Sequence, residues 1–99
     1  MRENETYCAA LRCFGVRNQT VVAIEEMSEL QKELCKMLRG QANAEHIAEE
    51  IADVEIMLAQ MIEALQLQKE VAKYKYFKLV RLEARIDAAE RRKERTDIK

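Results

Sequence analysis

The apolar positions of this chain recur every three or four residues over most of its length, which is the spacing of amphipathic helices. The pattern predicts four helices, a short one over about 6–14 and longer ones over about 19–39, 44–67 and 69–92. The predicted apolar faces of the long helices contain Ala23, Met27, Leu30, Leu34, Met37 and Leu38, then Ile47, Ile51, Val54, Leu58, Met61 and Leu65, then Val71, Leu79, Leu82 and Ile86. Three such helices with short connections predict an all-α, antiparallel helical bundle.

Residue types that begin and end helices mark the predicted boundaries. Asn18 and Asn43 are expected to cap the second and third helices, because a short polar side chain accepts a hydrogen bond from the first free amides. Gly40 is expected to end the second helix in the left-handed conformation, with Arg39 well placed for the helix dipole. A weak break is predicted at 66–68, but this stretch holds no Gly or Pro, so one continuous helix is the alternative.

Length and composition indicate one small helical domain. The chain has 99 residues, 48% hydrophobic and 35% charged, with no Pro and two Gly. We expect a single domain over 1–99, with its core at about 14–86 and a polar, frayed end over 93–99. A helical chain this short often gains buried surface by association, so we expect a homo-oligomer.

The cysteine count and the hydropathy indicate which cellular compartment to expect for the chain. Three cysteines with no CxxC pair argue against a disulfide framework and a zinc ribbon, and favour the reducing cytoplasm. The first residues show no apolar segment of a signal peptide. The longest apolar-leaning stretch, 47–67, carries five acidic residues, which excludes a membrane span.

Acidic residues form two similar pairs on the second and third helices. Glu26 and Glu29 lie about 60° apart on one flank, and Glu50 and Asp53 repeat that spacing. Glu26 lies roughly 40° from the core position Leu30, close to the apolar face. Two helices packed side by side would therefore present four carboxylates to one small volume.

The surroundings of these acids call for an external countercharge. The flank of Glu50 and Asp53 continues through Met57, Met61 and Ala64, so we expect it to be partly buried. No Lys or Arg occurs between Gly40 and Gln68, and unpaired carboxylates are costly to bury. A hard cation such as Mg²⁺ takes carboxylate oxygens, so a metal site is predicted.

The sequence also allows two alternatives to a magnesium site. The acids can instead form a solvated helix face, because acidic pairs at this spacing are common. A ferritin-like di-iron site would require ExxH motifs, and the single histidine, His46, does not form one. We expect His46 on the surface, in the first turn of its helix.

The segments AIEEMSELQKEL and AEEIADVEIML together resemble the MazG-like, all-α nucleoside triphosphate pyrophosphohydrolases. The signature of that family is EExxE on one helix and ExxD on the next, separated here by 20 residues between Glu29 and Glu50. The similarity covers about residues 14–86 and is to the short, single-domain members.

The resemblance implies Mg²⁺-dependent hydrolysis of a nucleoside or deoxynucleoside triphosphate to the monophosphate and pyrophosphate, with Mn²⁺ as an alternative metal. It implies a dimer or a dimer of dimers (a homotetramer). By motif match, the metal ligands and catalytic residues are Glu26, Glu29, Glu50 and Asp53. Glu25 and Glu49 also match acidic positions, and we expect them to orient water at most, or to face solvent.

Candidate substrate-binding residues lie on the fourth helix and at the start of the second. Charge is uneven, −6 over residues 1–67 and +5 over 68–99, and Lys78, Arg81 and Arg85 share one side of the basic helix. Family members tend to contact phosphates from this helix, although the Asn of their pattern is absent here. Pairing with the acidic helices, or solvation, is the alternative. Gln19, two turns before Glu26, is a candidate for shaping the nucleotide pocket, with a solvent-facing position as its alternative.

The aromatic residues of the chain give weaker indications of function. Tyr74 and Phe77 lie among lysines, a pattern seen in single-strand nucleic-acid binders, but packing at a helix or subunit interface is the favoured interpretation. Tyr7 and Phe14 are expected in the core rather than against a base. The alternative function for the whole chain is a non-catalytic helical module that oligomerises or binds a nucleotide.

Overall fold

The computed structural model describes residues 1–98, and side chains as far as Thr96. Four helices and no strand occur in this range: α1 (Glu3–Phe14), α2 (Val16–Leu38), α3 (Ala44–Leu65) and α4 (Gln68–Ile98). The predicted all-α class and the number of helices are therefore confirmed. Over the same range, no helix is both long enough and apolar enough to cross a bilayer.

The start of α2 differs from the prediction. α1 and α2 are separated by Gly15 alone, whose φ of 87° turns the chain. Asn18 is not a cap but lies in the first turn of α2, where its Nδ2 donates to the Phe14 carbonyl at 2.9 Å. Because one glycine at positive φ suffices to redirect the backbone, the helix begins three residues before the predicted start.

The connection between α2 and α3 has the predicted features. Gly40 adopts a φ of 78°, and Gln41 N donates to the Lys36 carbonyl at 2.9 Å, the long hydrogen bond of a Schellman motif. Asn43 caps α3, its side-chain oxygen accepting from His46 N at 3.2 Å. Five residues thus reverse the chain, and His46 is exposed in the first turn, as expected.

The chain also breaks where the weak interruption was predicted. Gln66 ends α3 in the left-handed conformation, with φ 52° and ψ 50°, so the alternative of one continuous helix is wrong. The next helix, α4, continues to Ile98, beyond the expected end near Arg92 and through most of the segment expected to fray. Lys99 lies outside the described residues.

The chain divides into two compact units, residues 1–66 and residues 67–99. In the first, α2 packs along α3, and α1 contacts both. In the second unit, the side chains of α4 from residue 68 to residue 96 are exposed, except for the half-buried Ala89. The predicted apolar face of α4, including Val71 and Leu82, is therefore exposed.

The helices α2 and α3 are antiparallel and meet along a seam, which we define as the line of buried and half-buried side chains between them. The seam includes Gln19, Ala23, Glu26, Leu30 and Glu33 of α2 and Glu50, Met57 and Gln60 of α3. Of the predicted apolar faces, Ala23 is buried and Leu30 half-buried, but Leu38 is 82% exposed. The predicted faces are therefore correct only in part. Ile47, Val54 and Met61 of α3 are half-buried as expected, but the most buried positions also include polar residues, Gln19, Glu33 and Gln60.

Candidate metal centre

Two polar pairs define the register of the seam. Gln19 Nε2 donates to Gln60 Oε1 at 2.7 Å, and Glu26 lies against Asp53. Glu26 follows Gln19 by seven residues, and Asp53 precedes Gln60 by seven. Seven residues make two helical turns, so the two pairs are about 10.5 Å apart along one antiparallel seam.

Three carboxylates come together in a cluster, which we call the carboxylate cluster: Glu26 and Glu50 of the seam and Asp53 at its edge. One oxygen from each lies within 4.8 Å of the other two. Glu26 and Glu50 are half-buried, whereas Asp53 is exposed at the rim. The i, i+3 spacing on α3 places Glu50 and Asp53 on one flank, and the register of the seam brings Glu26 to meet them.

Burial and crowding raise the pKa of both half-buried carboxyls above the ordinary value. For Glu26 the main cause is burial, followed by the charges of Asp53 and Glu50 and a hydrogen bond with Asp53. For Glu50 burial again comes first, followed by the charges of Asp53 and three neighbouring glutamates. Negative charge is therefore unfavourable in the cluster without a nearby cation.

Glu50 carries the clearest sign of a missing partner. Its Oε2 is buried and has no hydrogen-bond partner among the described residues. An unsatisfied buried carboxylate oxygen costs free energy, and proteins rarely keep one without a compensating group. The half-buried position of Glu50, with Met57 buried and Met61 half-buried beyond it, confirms the predicted burial of this flank.

The donor set and the spacing fit a hard divalent cation. Mg²⁺ binds oxygen ligands at about 2.1 Å, which places two ligand oxygens on one ion about 3–4 Å apart. The oxygens of the carboxylate cluster lie within 4.8 Å of one another, a limit close to that distance. Carboxylates alone make the site unsuited to a soft metal.

Glu29 does not join the carboxylate cluster. It is exposed, and its oxygens are outside the group that shares the 4.8 Å limit. Its charge still reaches the site, because it raises the pKa of Glu26 and of Glu50. Its role as a fourth ligand stays a prediction. Glu25 and Glu49 are exposed.

Glu33 is a member of the seam that sequence reasoning missed. It is buried, its charge raises the pKa of Glu50, and its Oε1 forms an ion pair with Lys36 Nζ at 3.4 Å. The spacing along α2 indicates this position, because Glu33 lies seven residues after Glu26 and therefore shares its face of the helix. The same spacing identifies Gln60, seven residues after Asp53.

The predicted substrate-binding residues occupy different settings. Gln19 is buried in the seam, so its solvent-facing alternative is wrong, and a contact with substrate stays a prediction. Lys78, Arg81 and Arg85 are exposed on α4, which belongs to the second compact unit. Their approach to a phosphate likewise stays a prediction.

The chain was compared with protein-family models, with curated proteins and with solved structures, and no match was found in any of the three. Support for a function therefore comes from the geometry of the seam and from the sequence motif.

Proposed function

We propose that the protein hydrolyses a nucleoside or deoxynucleoside triphosphate, with Mg²⁺ or Mn²⁺, to the monophosphate and pyrophosphate. The observation that carries the proposal is the buried, unpartnered Oε2 of Glu50 inside a cluster of three carboxylates. That arrangement supports a cation site. The triphosphate substrate comes from the resemblance of the EExxE and ExxD motifs to the MazG-like enzymes.

The residues of the carboxylate cluster differ in exposure, and we propose a different role for the half-buried and the exposed ones. Glu26 and Glu50, anchored in the seam, would hold the cation, and Asp53 at the rim would face the substrate. Bound Mg²⁺ supplies neutralisation of phosphate charge and a lowered pKa for water. Glu29 is proposed as a further ligand from the exposed side of α2.

The phosphates of the substrate also need positive charge, because carboxylates repel them. Following the resemblance, we assign this role to Lys78, Arg81 and Arg85 of α4, whose side chains are exposed. Charge assistance from Lys and Arg is a general means of positioning a phosphoryl group. In a homo-oligomer, these residues can belong to a different copy of the chain from the one that holds the cation.

The decisive experiment is incubation with each common nucleoside and deoxynucleoside triphosphate and Mg²⁺, with pyrophosphate as the measured product. We expect release from at least one substrate and its loss in EDTA. Glu50→Gln should lower the rate by at least about a hundredfold. Loss of a residue that only hydrogen-bonds to a metal ligand already costs up to about that factor, and loss of a ligand itself should cost more. Glu55→Gln, at an exposed glutamate of the same helix, is the matched control. Full activity of Glu50→Gln would show that the site is assigned wrongly.

We further propose that the chain works as a homo-oligomer, a dimer or a dimer of dimers. Four large apolar side chains of α2 and α3 are exposed although each directly follows a seam residue. They are Met27, Leu34, Ile51 and Leu58, which follow Glu26, Glu33, Glu50 and Met57. On antiparallel helices the same 100° step leads to the same side of the pair, so these side chains make one apolar surface.

Solution mass tests the association. Leu58→Lys should lower the measured mass to that of a smaller species, whereas Val21→Lys, at an exposed apolar residue on another side of α2, should leave it unchanged. The same apolar surface also favours the competing function, a helical module without catalysis. That alternative predicts an oligomer with no pyrophosphate release from any triphosphate.

A further inference from the structure

A cavity of about 280 Å³ lies between α1 and α3, on the side of Gln60 that faces α1. It is lined by Met1, by Glu3, Thr6, Tyr7 and Ala10 of α1, and by Ile56 and Gln60 of α3. Ligand pockets for whole drug-sized molecules begin at about 300 Å³, so this space suits one ring system rather than a complete nucleotide. A largely apolar lining with one aromatic ring and a few polar groups, here the Glu3 carboxylate, the Thr6 hydroxyl and the Gln60 amide, is typical of a ligand pocket.

Gln60 has hydrogen-bonding capacity that the protein itself uses poorly. Only 4% exposed, it accepts at Oε1 from Gln19 Nε2. Its own Nε2 donates to Met57 Sδ at 3.5 Å. A thioether sulfur is a weak acceptor, so a carbonyl oxygen or ring nitrogen entering the cavity would be a better partner for this buried donor.

The cavity is also in the right place relative to the carboxylate cluster. Asp53, Ile56 and Gln60 stand at i, i+3 and i+7 and span about 60° of one face of α3. The cavity therefore begins one turn from Asp53, and Gln60 lies about 10.5 Å along the helix from it. A ligand held at both places must have an anionic end and a ring system separated by a spacer, which is the chemistry of a nucleotide.

We propose that this cavity receives the nucleobase of the substrate, with Tyr7 against the ring and Gln60 Nε2 donating to an acceptor on the base edge. The inference deepens the proposed function and depends on it, because the cluster supplies the place for the phosphates. Gln60 is then a specificity-determining residue, and Gln19 is the positioning residue that holds its amide in one orientation.

Calorimetric binding in Mg²⁺ separates the two parts of the site. The probes are α,β-methylene nucleoside triphosphates, which resist cleavage, and inorganic tripolyphosphate, which lacks a base. Ala10→Leu fills the cavity and should weaken binding of the nucleotide analogues at least about tenfold while leaving tripolyphosphate unchanged. Ala42→Leu, at an exposed alanine outside the helices, should change neither. Equal nucleotide affinity in wild type and Ala10→Leu would overturn the proposal.

A second variant tests the amide itself without filling the cavity. Gln60→Glu keeps an oxygen for Gln19 but replaces the donor by an acceptor, so the order of affinities among the bases should shift towards those with amino groups. An unchanged order would also overturn the proposal, provided that circular dichroism shows a wild-type helix content. Pyrophosphate release is measured separately, so loss of base selectivity and absence of hydrolysis are distinguishable results.

Discussion

Gln19 and Gln60 form a buried amide-to-amide hydrogen bond of 2.7 Å, in the same antiparallel register as Glu26 and Asp53. The bond joins α2 to α3 where the side chains are nearly inaccessible to water. Burying an amide costs free energy unless it is hydrogen-bonded, so each glutamine offsets the cost of burying the other. The pair thereby holds the two helices in the alignment that assembles the carboxylate cluster.

Gln60→Leu should destabilise the protein by about 1–3 kcal/mol, because Gln19 is left as an unsatisfied buried amide. Urea unfolding followed by circular dichroism measures the effect. Gln41→Leu, at an exposed glutamine, is the control and should cost little. The double variant with Gln19→Leu should recover part of the loss, and a single variant as stable as the control would contradict the role of the pair.

Mg²⁺ should raise the melting temperature of the wild-type protein, because a ligand that binds only the folded state stabilises it. At a free concentration one hundred times Kd, the gain is about 2.7 kcal/mol. Glu50→Gln should lose this gain, yet melt higher than wild type in EDTA, since it removes an unpartnered buried charge. Glu55→Gln, at an exposed glutamate of the same helix, should behave as wild type. A full Mg²⁺ response in Glu50→Gln would place the ion elsewhere.

In EDTA the contribution of Glu26 and Glu50 to stability should fall as the pH rises above about 4.5. The folded-state pKa values of Glu26 and Glu50 are raised above the ordinary 4.5, so in the window above that value the folded protein binds more protons than the unfolded chain. More bound protons in the folded state mean that stability decreases with pH. Urea midpoints across this range measure the slope.

The contribution of the cluster to that slope is isolated by substitution. Glu50→Gln removes one of the two raised groups and relieves the other, because the Glu50 charge raises the pKa of Glu26. The variant should therefore lose less stability than wild type between about pH 4.5 and 7. Parallel curves for the two proteins would contradict the assignment of the shifted groups.

Cys8 should be the slowest of the three free thiols to be alkylated. Burial, then the charge of Glu63, then a hydrogen bond to Glu63, raise the pKa of Cys8, and the Sγ–Oε2 distance is 3.6 Å. Cys13 and Cys35 are exposed. Since the thiolate is the nucleophile, iodoacetamide labelling near pH 8, read by mass spectrometry, should reach Cys8 last. Glu63→Gln should accelerate it, and an unchanged rate would show that Glu63 has no influence.

Asn43→Ala should destabilise the protein by about 1 kcal/mol, because the His46 amide loses its capping acceptor. Asn43→Asp keeps an acceptor and should retain wild-type stability. Asn18→Ala is a matched comparison, since Asn18 lies inside α2 and does not cap it, and it should cost less. Equal losses for the two alanine variants would contradict the assignment of the cap.

Local signals predicted much of the fold. Apolar spacing predicts four helices, and Gly40 and Asn43 predict the end of α2 and the start of α3, because turn and cap preferences depend on a few neighbouring residues. The pairing of Glu50 with Asp53 is equally local, since i, i+3 residues share a flank in any helix. The start of α2 was missed because Asn18 and Gly15 are competing signals, and the glycine conformation is the one adopted.

The rotation of each helix about its own axis is not a local property. It depends on which side chains of α2 and α3 fit together, and this places Gln19, Glu33 and Gln60 in the seam while Glu29 stays exposed. The residue pattern could therefore name four candidate carboxylates, but only packing between the helices selected the three that meet and left Glu50 Oε2 without a partner. The periodicity of a helix is set by its own backbone, whereas the face that it buries is set by its neighbour.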